Sequence, residues 1–198
     1  MIEYLIPAGD GESEYIEKRS RFLGHVRCVE TEDEAREFIA ATKKKYYDAR
    51  HNCWCYIIRN GAVRYSDDGE PQGSAGLPML EVFRHEGVEN VVCVVTRYFG
   101  GVLLGTGGLL RAYTKAAKDA LSSAGITEVR RLVRLELCFG YPLFERIKLT
   151  CLASGGSIED IAYSDTVRMT VELPEETAES FAAQLTELSN GACLIRKI

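Results

Sequence analysis

The chain has no excess of positive charge. Its 198 residues carry 24 Lys and Arg against 29 Asp and Glu, a formal net charge of -5. No global pull toward nucleic acid follows from that balance, and any such contact must come from a local basic cluster. No apolar run approaches the roughly 20 residues of a membrane-spanning helix. The opening MIEYLIPAGD has an acid at Glu3 and no apolar h-region, so no signal peptide is expected. Internal repeats, low-complexity tracts and long linkers are missing. The seven cysteines are odd in number and sit inside apolar runs such as VVCVV and LELCFG. They read as buried reduced thiols rather than a disulfide framework, and the expected compartment is the cytoplasm.

What is present is an ordinary globular composition, 46% hydrophobic and 27% charged, in a length that suits one or two domains. The first half alternates short strands and helices. Thr31 and Glu34 form a capping box ahead of a helix that ends at Lys43, Lys44 and Lys45. Asn60-Gly61 predicts a type I′ hairpin between two strands. Ser74 and Pro78 mark a helix start, NVVCVVTRYF a strand buried on both faces, and Gly125 the end of a long helix. From Leu132 onward the order is strand, helix, strand, strand, helix, strand, the ferredoxin-like βαββαβ arrangement. The expected fold class is therefore α+β, with a domain boundary that divides residues 1–128 from 129–198. Residues 1–128 hold 16 basic and 19 acidic side chains, residues 129–198 hold 8 and 10, so neither part is basic.

Four stretches could carry chemistry. SDDGEPQGSAGLP brings Asp67, Asp68 and Glu70 into a glycine-rich segment after a strand. The carboxylates could hold a hard cation, act as acid and base, or simply bond the backbone of a turn. No calcium-loop spacing accompanies them. TRYFGGVLLGTGGLLRAY has Arg97, Tyr98, Gly100, Gly101, Gly105, Gly107, Gly108 and Arg111 running into a helix. Amides at a helix start bind anions, and arginines clamp phosphate. The stretch lacks the Lys-Ser/Thr end of a Walker loop and has Leu110 where a dinucleotide fingerprint needs glycine or alanine, so a generic anion or phosphodiester site is the better fit. DARHNCWCY offers Arg50 and His51 before a strand. Its Cys53 and Cys55 have no second pair at zinc spacing and read as core. KRSRF supplies Lys18, Arg19, Arg21 and Phe22 on extended backbone, a pattern that tracks a phosphate chain or blunts an edge strand.

Taken in order, SRFLGH, DARHNCWCY, SDDGEPQGSAGLP and VVTRYFGGVLLGTGGLLRAY resemble the consecutive signatures of the Impact/YigZ family, over roughly Ser20 to Ala124. Ser74 stands where that family has threonine, and Trp54-Cys55 where it has tyrosine-alanine. The resemblance implies an N-terminal domain like the second domain of ribosomal protein S5 and a C-terminal domain like the last, ferredoxin-like domain of elongation factor G. It implies RNA or ribosome association and a link to regulation of translation. The eukaryotic relatives' role in amino-acid starvation sensing uses an extra N-terminal module and is not expected here. A peptidase activity is not expected either, because no nucleophile or paired metal ligands stand out.

The resulting expectation is a non-enzymatic RNA- or ribosome-binding protein with no cofactor, no metal and no membrane partner. The binding residues would be Arg21, Phe22, Arg50, His51, Arg97, Tyr98, the loop glycines and Arg111. Two alternatives stay open. One is a metal-assisted phosphoester hydrolase built on Asp67, Asp68 and Glu70. The other is a protein-interaction module in which those carboxylates salt-bridge Arg97 and Arg111.

Overall fold

The computed structural model describes residues 2–198. In chain order the elements are β1 (Ile2–Pro7), β2 (Gly11–Glu17), β3 (Ser20–Cys28), α1 (Glu32–Lys45), β4 (His51–Ile57), β5 (Val63–Ser66), α2 (Gly76–His85), β6 (Val91–Tyr98), α3 (Gly105–Ala124) and β7 (Ile126–Arg130). There follow β8 (Leu132–Phe139), α4 (Phe144–Ala153), β9 (Ser157–Tyr163), β10 (Val167–Pro174), α5 (Glu175–Leu188) and β11 (Leu194–Lys197). Contacts divide the chain into two compact units, Tyr4–Val129 and Arg130–Ile198, with Glu3 grouped with the second.

The first unit is built on a five-stranded antiparallel sheet in the order β2-β3-β6-β4-β5. Side chains alternate across a strand, and both faces are covered. Phe22, Val26, Cys53, Cys55, Cys93 and Val95 pack against α2 and α3. Tyr56, Val92 and Val94 pack on the opposite side, against Ala35 and Ile39 of α1. The central strand β6 is therefore buried from Val91 to Arg97, which is why its sequence is a continuous apolar run rather than an alternating one. The register sets one row of residues across the sheet on the α2/α3 side: Tyr15 opposite Phe22, Phe22 opposite Arg97, and Arg97 opposite His51.

Helix α1 begins as its sequence requires. The Glu34 amide donates to Thr31 Oγ1 at 3.2 Å, and Glu34 Oε2 accepts from the Glu30 amide at 2.8 Å, one residue before the usual return bond of a capping box. The β4–β5 turn differs from the expected type I′. Of its residues only Asn60 has a positive φ (54°), and Ile58 pairs with Ala62 through an amide-to-carbonyl bond of 3.0 Å. The connection is thus a three-residue loop, whereas a type I′ turn needs positive φ at both central positions. Strands β1 and β7 were not foreseen. They form a separate two-stranded ribbon that pairs the two ends of the first unit.

In the second unit the sheet order is β11-β8-β10-β9, all antiparallel, with α4 and α5 covering one face. This is the ferredoxin-like arrangement. Its core joins Leu135, Leu137 and Phe139 of β8 with Met169 and Val171 of β10 and with Ile147 and Phe181 of the helices. The outward residues Arg134, Glu136, Arg168 and Glu172 alternate with these and pair with one another or with Glu159.

Candidate functional site

The acidic stretch is the connection from β5 to α2, and its three carboxylates have three different duties. Asp67 Oδ2 accepts the Gly73 amide at 2.8 Å, and Oδ1 accepts the amides of Ala75 and Gly76 at 3.1 and 2.8 Å. Helix α2 has Ala75 at its N-cap and no side-chain cap of its own, so Asp67 caps it from nine residues away and places a negative charge at the positive end of the helix dipole. Asp68, held at φ 43°, accepts the Asn52 amide at 2.8 Å on Oδ2 and pairs with Lys43 at 2.6 Å on Oδ1. Its carbonyl lies 3.0 Å from His51 Nδ1. Among the described residues no three His, Cys, Asp or Glu side chains come together to hold a metal ion.

Glu70 turns inward. Its Oε1 accepts from Arg97 Nη1 at 2.6 Å and from the Tyr113 hydroxyl at 2.8 Å. The glutamate and arginine side chains are only 3% and 7% exposed. Burial, with the Glu70 charge beside it, raises the Tyr113 pKa far above that of an ordinary phenol. The Tyr113 ring meets Phe22 edge-on at 5.1 Å. The Arg97 guanidinium lies over the rings of Phe22 and Phe99 at 5.6 and 5.5 Å, while its Nε finds no hydrogen-bond partner. Nearby Cys53 donates its thiol to the Asp67 carbonyl at 2.9 Å, and burial pushes its pKa up. A thiol so placed stays protonated and inert.

Tyr98 and Arg21 face each other in the sheet on the α1 side, away from this cluster. The Tyr98 hydroxyl donates to Asp48 at 2.7 Å, and that bond pushes its pKa up to about 12. Arg21 pairs with Glu14 at 2.7 Å and is half exposed. The site expected from the sequence is therefore split by the sheet. Phe22, Arg97 and His51 share one face, Arg21 and Tyr98 the other. Arg111 meets none of the three carboxylates, so the expected salt bridging holds for Glu70 with Arg97 and fails for Arg111.

Free positive charge collects at the rim instead. Lys18 and Arg19 form the β2–β3 turn, both at positive φ (46° and 67°) and both exposed. The Gly100 amide donates to Ser20 Oγ at 3.1 Å, and a Cβ at Gly100 would stand 2.0 Å from the Arg19 carbonyl carbon. Only glycine lets the loop after β6 lie against this turn. That loop leads into α3, whose N-cap, Leu104, supplies no side-chain bond and whose first turn has no acidic residue. Gly105 and Gly107 are exposed, and a Cβ at Gly107 would stand 3.7 Å from Arg111 Nη1, so Arg111 lies over this first turn. Lys18, Leu104, Gly108 and Arg111 line a cavity of about 160 Å³ together with Tyr15, Glu17 and Ala112. Among the described residues Lys18, Arg19, Arg50 and Arg111 have no side-chain hydrogen bond or ion pair. A helix start without a side-chain cap, its dipole and adjacent cations are parts from which an anion site can be built. In the sequence Lys18 and Arg19 stood only as members of a basic stretch. The nearness of Lys18 to Arg111 depends on a turn and a helix 93 residues apart.

A family model described as the Impact N-terminal domain matches residues 18–121, more than half of the chain. The chain belongs to the IMPACT family. A second model, described as a domain of unknown function (DUF1949), matches residues 137–192, within the second unit. Among curated IMPACT relatives, YvyE of Bacillus subtilis is 39% identical over 94% of this chain and 87% of its own length. YigZ of Escherichia coli is 32% identical over 97% and 96%. A solved structure titled "Crystal structure of an hypothetical protein" matches with a TM-score of 0.63 and 32% identity, covering 100% of this chain and 98% of the other. The IMPACT match takes in Lys18, Arg19 and Arg111 of the rim and the buried Glu70–Arg97–Tyr113 cluster. The fold class expected from the resemblance is the one found.

Proposed function

We propose that this IMPACT family member is a non-enzymatic RNA- or ribosome-binding protein linked to regulation of translation, with its phosphate contacts on the rim of the N-terminal unit. The observation that carries the reading is the meeting of unpaired Lys18 and Arg111 in one cavity at the uncapped start of α3, with exposed Arg19 next to Lys18 in the turn. Fixed cations beside free amides at a helix N-terminus suit phosphate groups. Arg50 adds a further unpaired cation, and Arg21 one that Glu14 already holds. Arg97 supports this surface from beneath: its charge is neutralised by Glu70, and it holds the rings that shape the loop. The carboxylates support the same scaffold. Asp67 and Asp68 spend their oxygens on backbone amides and Lys43, which favours a binding surface over a hydrolase centre.

The test is binding of a short RNA, followed by fluorescence anisotropy across a salt series. About three phosphate contacts to a single strand give a slope near -2 for log K against log salt. Arg19→Ala/Arg111→Ala removes two of them and flattens that slope by about 1.4. Absence of binding at low salt, or a double variant that binds with the wild-type slope, overturns the reading.

A further inference from the structure

Resting on that reading, we infer that the RNA taken is single-stranded and that Phe99 is the platform on which one of its bases stacks. Tyr15 stands in the rim cavity, half-buried with its hydroxyl donated to Glu17 at 2.8 Å, and the aromatics of the adjoining strand ends differ sharply in exposure. Phe22 is fully buried, and Tyr98 is tied through its hydroxyl to Asp48. Phe99 is 50% exposed. Phe99 is not exposed singly: Val102 and Leu103 of the same loop are exposed with it, so the ring belongs to an apolar patch open to a partner. The Arg97 guanidinium lies over its ring at 5.5 Å, so one face rests on a cation and the ring is held in place. The other face is left for a partner. A cation beneath the ring draws its electron density inward, which favours a large, electron-rich π surface on the far side.

The position of the ring selects the ligand. Gly100, the next residue, lies against the backbone of Arg19. From Arg19 the turn leads to Lys18, and the cavity behind Lys18 is shared with Arg111. A base on Phe99 therefore has its own phosphates directed along a line of unpaired cations. A duplex keeps its bases stacked on one another and has no face to offer, whereas a single strand does. The neighbouring Val102 and Leu103 are also exposed and could suit an apolar protein surface. The unpaired cations beside them favour a polyanion.

The full-length chain is tested with a short oligoadenylate and with the same strand paired to its complement. Wild type binds the single strand more tightly than the duplex. Phe99→Ala weakens single-strand binding by about tenfold while leaving the salt slope unchanged, since stacking contributes about 1–3 kcal/mol per base and carries no charge. Phe99→Trp restores affinity. In the double variant Trp54→Phe/Phe99→Trp the introduced ring is the sole indole of the chain, and its emission is quenched as oligoadenylate is added. An unchanged urea midpoint shows that Phe99→Ala still folds. If Phe99→Ala binds RNA like wild type while Arg19→Ala/Arg111→Ala does not, the stacking inference is overturned and the RNA reading stands, with the Phe99–Leu103 tip assigned to a protein partner. Equal affinity for duplex and single strand, without quenching, also overturns it. A wild-type chain that binds neither RNA refutes the functional reading itself.

Discussion

Replacing Glu70 with leucine leaves Arg97 as a buried charge without its counter-ion and the Tyr113 hydroxyl without its acceptor. Both groups bond the same oxygen, at 2.6 and 2.8 Å, and the Glu70 and Arg97 side chains are nearly free of solvent. Removing one partner of a buried ion pair costs about 3–5 kcal/mol. Stranding the hydroxyl adds about 1 kcal/mol more. A loss of about 4–6 kcal/mol is a large share of the roughly 5–15 kcal/mol that holds a domain folded. It lowers the melting temperature of the N-terminal unit by roughly 10 °C or more. Trp54, the one tryptophan of the chain, lies in β4 and reports this unit alone, so urea unfolding followed by its fluorescence is the assay. The decisive comparison is the triple variant Glu70→Leu/Arg97→Met/Tyr113→Phe. It removes the charges and the hydroxyl together and recovers most of the loss, because apolar groups of similar volume replace a buried pair at little net cost. A Glu70→Leu chain within about 1 kcal/mol of wild type, with unchanged m-value, refutes the argument that burial makes this pair indispensable.

Three further outcomes follow from the structure. Asp67→Ala uncaps α2 and costs about 1–2 kcal/mol in the same assay, and Gly76→Ala is more damaging, because a Cβ there would stand 2.7 Å from the Ser66 carbonyl oxygen. His25 is buried, with Nε2 lacking a partner and Nδ1 3.3 Å from Glu12. Burial lowers its pKa below 6.5, against the opposing pull of Glu12 and with Lys45 acting in the same sense as burial. The unfolded chain therefore takes up the proton first as pH falls, so stability is undiminished above 6.5 and declines below it. His25→Gln flattens that decline in urea midpoints measured between pH 7.5 and 5.5; an unchanged slope would assign it to other groups.

The elements themselves were largely written in local patterns. Thr31 and Glu34 start α1, Gly125 ends α3, and the uniform apolar run of β6 announces a strand covered on both faces. The ferredoxin-like order after Leu132 was legible from strand and helix periodicities alone. The β1–β7 ribbon was not, because it pairs segments more than 100 residues apart and neither strand has a turn signal to join it to the other. The site was legible as a set of residue types but not as an arrangement. Its glycines, arginines and carboxylates stand out in the sequence, and chemistry alone allows Asp67, Asp68 and Glu70 to meet a metal, each other or the arginines. The sheet register decides among these. It puts Arg97 in a row with Phe22 and His51 on the covered face, so that its charge must be neutralised from within by Glu70. It puts Tyr98 and Arg21 on the opposite side. The sequence by itself thus determined which segments form strands and helices, since those depend on neighbours along the chain. Only the tertiary structure decided which cations remain free, because a charge is paired or unpaired according to what the fold brings within a few ångströms of it.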